Sequence, residues 1–142
     1  MLRVRRLHER ARLPTRAHDG DAGLDLYALE DGLLAPGQRL GLRTGIAVEV
    51  PDGQAGLMLP RSGLAARHGI TLVNAPGLID SGYRGELIVI ALNTDPAEAY
   101  KIAAGERIAQ LVFVDVRSPD VIEVAELSAS GRGERGLGSS GL

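Results

Sequence analysis

Glycine and proline punctuate this chain so densely that long helices cannot be its main building material. Nineteen glycines and seven prolines recur between short runs of aliphatic and β-branched residues, the pattern of many short strands joined by turns. The clearest strand runs from Arg39 to Val50, where Leu40, Leu42, Ile46, Val48 and Val50 are spaced by multiples of two and so share one sheet face. Pro51-Asp52-Gly53 then turns it. Glu86 to Leu92 is nearly continuous in aliphatics and ends at Asn93-Thr94-Asp95-Pro96, which predicts a strand buried on both faces and then a turn. A third strand spans Arg107 to Val114. Only one segment reads differently: Ser62 is placed to N-cap a helix of about two turns through Leu64-Ala65-Ala66-Arg67, and Gly69 to end it in the left-handed conformation.

The expected architecture is therefore all-β with one short helix. At 142 residues the chain has the size of one domain. The tail from Ser128, SASGRGERGLGSSGL, has too few apolar residues to fold onto a core. This divides the chain into a body, residues 1–127, and a flexible arm, residues 128–142. Sixteen basic against 18 acidic residues leave a formal charge of −2, without the basic excess of a nucleic-acid binder. Cysteine is absent and the three histidines, His8, His18 and His68, are far apart, so thiolate chemistry and a Cys/His zinc site lack raw material. The arginine-interrupted N-terminus forms no apolar run for secretion or membrane spanning. A cytoplasmic protein without nucleic-acid or membrane partners is expected.

Four stretches could carry chemistry. Asp19, Asp21, Asp25 and Glu30 stand at positions 1, 3, 7 and 12 of a calcium loop, but Leu24 occupies the position that needs glycine and the flanks are not helical. A polar turn entering a strand is the plainer reading, except that Asp25 between Leu24 and Leu26 puts a carboxylate in an apolar strand start. Such a charge is costly without a partner. Pro60-Arg61-Ser62-Gly63 brings an arginine and a hydroxyl to a helix start with unsatisfied N–H groups, a corner suited to phosphate and equally to a plain helix cap. NAPGLIDSGYRGE, Asn74 to Glu86, reads as a hairpin exposing Asp80 and Tyr83, or as a decorated turn. The tail has the Gly133 and Gly138 spacing of a phosphate loop but no lysine. Its glycine-rich backbone with Arg132 and Arg135 could still wrap a phosphate.

Together these stretches resemble the five motifs of the trimeric dUTPase family, in order along nearly the whole chain. AGLDLYA from Ala22 resembles the first, PRSGLAARHGI from Pro60 the second and NAPGLIDSGYRGELIV from Asn74 the third. GERIAQLVF from Gly105 resembles the fourth and RGERGLGSSG from Arg132 the fifth.

The resemblance implies a jelly-roll type β-barrel, assembled as a homotrimer with active sites at subunit interfaces. It implies hydrolysis of dUTP to dUMP and pyrophosphate with Mg²⁺, which limits uracil incorporation into DNA and supplies dUMP for dTMP synthesis. Carried onto this chain, it implies that the Asn74–Tyr83 segment, including Ile79, holds the uracil, with Asn74 reading its edge. Tyr83 would lie under the deoxyribose and exclude a 2′-hydroxyl. Asp80 would activate the water that attacks the α-phosphorus, as a general base in reach of its proton. Arg61, Ser62 and Gly63 would hold the triphosphate, Gln110 would reach the α-phosphate or the water, and Asp25 would grip magnesium through water.

The arm would close over the nucleotide, with Arg132 on the γ-phosphate and Leu137, Gly138, Ser139 and Ser140 nearby. Leu137 stands where the family commonly stacks an aromatic ring on the base, which implies a looser closed state and a higher Michaelis constant. Arg135 stands where the family usually has glycine. The related dCTP deaminases lack the tyrosine that this chain keeps in GYRGE, and a non-catalytic binding module would not need Asp25, Asp80 and Gln110 together.

Overall fold

The computed structural model describes residues 1–137. Eleven strands and one helix follow one another. The first half holds β1 (Arg3–Arg6), β2 (Leu24–Tyr27), β3 (Gly32–Leu34), β4 (Arg39–Arg43), β5 (Ile46–Glu49) and β6 (Gln54–Leu59). After α1 (Ser62–His68) come β7 (Ile70–Leu72), β8 (Gly77–Ile79), β9 (Ile88–Asn93), β10 (Tyr100–Ile102) and β11 (Arg107–Asp115).

Among the described residues every strand pairing is antiparallel, and none joins strands that are neighbours in sequence. One sheet has the order β2-β11-β6-β8 and another β4-β9-β7, while β1 pairs with β5 and β3 with β10. This is the interleaved arrangement of a jelly roll. The described strands form four separate ladders and do not close into one continuous barrel.

The core lies between the ladders. Leu26, Leu34, Ile46, Val48, Val50, Leu87, Val89 and Leu111 are each less than 2% exposed, and burying each such side chain contributes ~1.5–3 kcal/mol before chain entropy is set against it. Asn93, at 0% exposure, is the most deeply buried of the described polar residues. Its Nδ2 donates to the Leu34 and Glu98 carbonyls at 3.1 and 2.8 Å, and its Oδ1 accepts from the Asp95 N–H at 2.9 Å. Fully satisfied, it ties β9 to β3 and to the following turn instead of destabilising the core.

Four sequence expectations change. The Arg39–Val50 strand is two strands in different sheets, because Gly45, at φ +70°, turns a corner after Thr44. The alternation survives the corner because the break spans two residues, yet Leu40 stays 38% exposed while Leu42, Ile46, Val48 and Val50 are buried. The Glu86–Leu92 stretch is buried on one face only: in β9, Val89, Ala91 and Asn93 are inside while Ile88 is exposed. Ser62 is the first helical residue and not the cap; Arg61, in extended conformation, caps α1 without a side-chain hydrogen bond, while Gly69 closes the other end at φ 64° as expected. The Asn74–Glu86 segment is not a hairpin closed on itself. Its flanks β7 and β9 do pair, but β8 between them leaves to join β6 in the other sheet.

Candidate active site

A cleft of about 370 Å³ opens where α1 begins, lined by Asp21, Gly23, Asp25, Arg61, Ser62, Gly63 and Gln110 among others. Three elements build it. β2 supplies Asp25, β11 supplies Gln110 directly across from it in register, and the β6–α1 junction supplies Arg61, Ser62 and Gly63. Gln110 donates from Nε2 to the Pro60 carbonyl at 3.0 Å. Its Oε1 presses against Gly23 so closely that a Cβ there would come within 2.6 Å, so only glycine at this position leaves the amide where it is.

Asp25, 8% exposed, has the partner its apolar setting demands. Arg61 Nε donates to Oδ1 at 3.1 Å and Arg107 Nη1 to Oδ2 at 3.2 Å, while Arg61 Nη1 also reaches the Arg107 carbonyl at 3.2 Å. The carboxylate thus fixes the Arg61 guanidinium where it lines the cleft.

A carboxylate offers about four lone-pair sites, and the two arginines use two. The rest can take waters of a magnesium ion, which usually keeps several of its waters and relies on one or two carboxylates plus substrate phosphates. No cluster of three His, Cys, Asp or Glu side chains occurs among the described residues. The donor set therefore suits a water-mediated magnesium and not a protein cage.

A second cleft, about 240 Å³, is lined by Ile79, Asp80, Tyr83, Glu86 and the start of β9. Asp80 is exposed and its carbonyl accepts the Tyr83 N–H at 3.0 Å. The Tyr83 hydroxyl donates to the Glu86 carbonyl at 3.0 Å. Asn74 is exposed and lines neither cleft; its amide lies over Gly77, where a Cβ would meet Nδ2 at 3.0 Å. Within one chain the expected site residues are therefore divided: Asp25, Arg61, Ser62, Gly63 and Gln110 share the first cleft, and Ile79, Asp80 and Tyr83 the second.

The described part of the arm, residues 128–137, lines neither cleft. From residue 116 to 137 the chain has no helix or strand and every residue is exposed. Arg132 donates from Nε to the Arg135 carbonyl at 2.8 Å, Arg135 donates back from Nε to the Arg132 carbonyl at 3.0 Å, and Leu137 is fully exposed. Gly138, Ser139 and Ser140 lie outside the described residues.

Arg107 had no role in the sequence reading although it sits in GERIAQLVF. Strict alternation would put it on the face opposite Gln110. A bulge between Arg107 and Ala109 inserts one extra residue, so Ile108 and Ala109 are both buried and Arg107 turns to the face that Asp25 and Gln110 share. Gly23 likewise carried no signal beyond its place in AGLDLYA. No described helix is long and apolar enough to cross a membrane.

Comparison with known proteins follows the same lines. The dUTPase family model matches residues 9–141. The deoxyuridine 5'-triphosphate nucleotidohydrolase of Thermobifida fusca is 57% identical over 138 residues, covering 97% of this chain and 77% of that protein. Its counterpart from Mycobacterium tuberculosis is 52% identical over 145 residues, covering 99% and 94%.

Among solved structures, the dUTPase of Staphylococcus bacteriophage 80alpha with dUpNHpp superposes with a TM-score of 0.91 at 34% identity, covering 100% of this chain and 99% of that one. A mutant dUTPase from phage phi11 of S. aureus, which shows the coordination of a structural Mg(II) ion, gives 0.82 at 30% identity over 89% and 97%.

Proposed function

This chain belongs to the dUTPase family and hydrolyses dUTP to dUMP and pyrophosphate, and we propose that its two clefts come from different copies in a homotrimer and together make each active site. The observation that carries this reading is the division itself: the first cleft has the arginine, the hydroxyl, the amide and the carboxylate a triphosphate needs, but neither Asp80 nor Tyr83.

In this reading Arg61, Ser62 and Gly63 bind the phosphate chain, and Arg61, held by Asp25, offsets the charge that spreads over it during bond cleavage. Gln110, fixed by Pro60 and Gly23, presents its amide to the α-phosphate or the attacking water. Asp80 orients that water and takes its proton. Asp25 would hold magnesium through waters, and the ion would supply neutralisation of the phosphate charge. Asn74 and the Ile79 backbone read the uracil, so that cytosine leaves buried donors and acceptors unmatched, and Tyr83 excludes the ribose 2′-hydroxyl. The arm closes over the bound nucleotide, with Arg132 on the γ-phosphate and Leu137 covering the base. Leu137 covers without stacking, so Leu137→Phe lowers the Michaelis constant for dUTP. The working compartment is the cytoplasm.

The test is pyrophosphate release from dUTP, dCTP, dTTP and UTP, with and without Mg²⁺. Release from dUTP alone, abolished by Asp80→Asn, is expected. Mixing inactive Asp80→Asn and Arg61→Ala protein under conditions of subunit exchange then restores activity, because some mixed trimers hold one intact pair of clefts. No recovery on mixing, with exchange shown by labelled subunits, refutes the shared site.

A further inference from the structure

Tyr83 is held by contacts with the two residues that follow Arg84, Gly85 and Glu86. Its ring folds back over Gly85 so closely that a Cβ on Gly85 would lie 2.6 Å from the ring carbon Cζ, and closer still to the phenolic oxygen. The hydroxyl, bonded to the Glu86 carbonyl, makes the ring's position depend on that of Glu86.

Glu86 cannot drift. Its carboxylate accepts from Arg43 Nε at 3.2 Å, from Arg43 Nη2 at 3.1 Å and from the Gly45 N–H at 2.8 Å. The next residue extends the grip: the Leu87 N–H donates to the Ile46 carbonyl at 2.9 Å, and the Leu87 carbonyl accepts from Thr44 Oγ1 at 2.6 Å. The anchor is the Thr44-Gly45 corner between β4 and β5, where Thr44 is 1% exposed and a Cβ on Gly45 would meet Ala11 at 2.9 Å.

A ring that rejects a substituent by contact rejects it only as firmly as the ring itself is held. One that can swing aside gives way to an extra oxygen at little cost. We propose that Glu86, clamped by Arg43 and the Gly45 N–H, is a specificity-determining positioning residue that fixes Tyr83 so that ribonucleotides are excluded, with Gly85 as the gap that lets the ring lie there. The inference rests on the reading that Tyr83 lies under the deoxyribose.

The experiment compares kcat and KM for dUTP and UTP, with Mg²⁺, in the full-length wild type and in Glu86→Gln, Arg43→Ala, Arg43→Lys, Gly85→Ala and Tyr83→Ala. Glu86→Gln puts an amide N–H₂ among donors and breaks the clamp from inside. Arg43, half exposed, can be removed from outside with less risk to folding, so Arg43→Ala decides the question if Glu86→Gln does not accumulate as folded protein.

The expected result is a ~10-fold rise in the ratio of kcat/KM for UTP to that for dUTP in Glu86→Gln, Arg43→Ala and Gly85→Ala, within the range that a single hydroxyl clash supplies. Arg43→Lys, which keeps the charge and part of the hydrogen bonding, falls between. If the Tyr83→Ala ratio stays at the wild-type value, the sugar-contact reading fails and the clamp's role with it. If Tyr83→Ala raises the ratio while the clamp variants lose both substrates in parallel, the clamp only stabilises the fold; the inference is then overturned and the reading of Tyr83 stands.

Discussion

Replacing Asp25 with asparagine keeps the shape of the side chain and removes the charge that two arginines share. Deleting one partner of a buried ion pair costs ~3–5 kcal/mol, and of an exposed pair ~0.2–1 kcal/mol. The Asp25 side chain is 12% exposed, that of Arg61 26% and that of Arg107 46%, so the first pair lies nearer the buried limit and the second nearer the surface limit.

Asparagine also turns one carboxylate acceptor into a donor facing a guanidinium. The net loss is about 2–3 kcal/mol, which for a domain of this size lowers Tm by ~6–12 °C. Calorimetry at matched protein concentration measures it, because a folded assembly makes Tm depend on concentration. Arg61 loses its aim at the same time, so kcat/KM for dUTP falls at least ~10-fold. A Tm within ~2 °C of wild type together with unchanged kcat/KM would show that the arginines do not depend on Asp25.

Two further outcomes follow from single positions. Gly45→Ala meets both a left-handed φ of +70°, worth ~1–2 kcal/mol, and Ala11 and Leu29 at 2.9 and 3.0 Å, worth ~1–3 kcal/mol of overpacking; a urea midpoint equal to wild type refutes the packing argument. Burial, and then the hydrogen bond to Glu106, pushes the Tyr100 hydroxyl from its ordinary 10 up to about 12. Below pH 10 it is neutral folded or unfolded; between 10 and 12 the unfolded chain ionises first, so stability falls across that window. Subtracting the Tm curve of Tyr100→Phe from that of wild type isolates the effect, and parallel curves between pH 10 and 12 contradict it.

The chemistry of this chain was legible because each motif keeps its residues together. Arg61, Ser62 and Gly63 are consecutive, Asp80 and Tyr83 are three apart, and Gly69 declares a helix end by its own backbone freedom. The buried Asp25 announced that it needed a partner, since a carboxylate between two leucines is costly wherever the strand lies. The resemblance offered a magnesium-bound water as that partner; the two arginines that pair with Asp25 in the chain itself were not read. Arg107 reaches Asp25 only because a bulge shifts the β11 register, and nothing in the letters GERIAQLVF distinguishes a bulged strand from a straight one.

The strand pairings were hidden for a related reason. Alternation fixes which residues share a face but not which strand lies beside it, and here no described strand pairs with its sequence neighbour. The Arg39–Val50 run read as one strand because a two-residue corner preserves parity. The sequence by itself determined the class of fold, the short helix and the residue types of the candidate site, since these follow from interactions a few residues in range. Only the tertiary structure decided that Arg43 clamps Glu86 across 43 residues, that Arg107 joins Asp25, and that one chain splits its site residues between two clefts. Those depend on burial and register summed over the whole chain, which no local segment encodes.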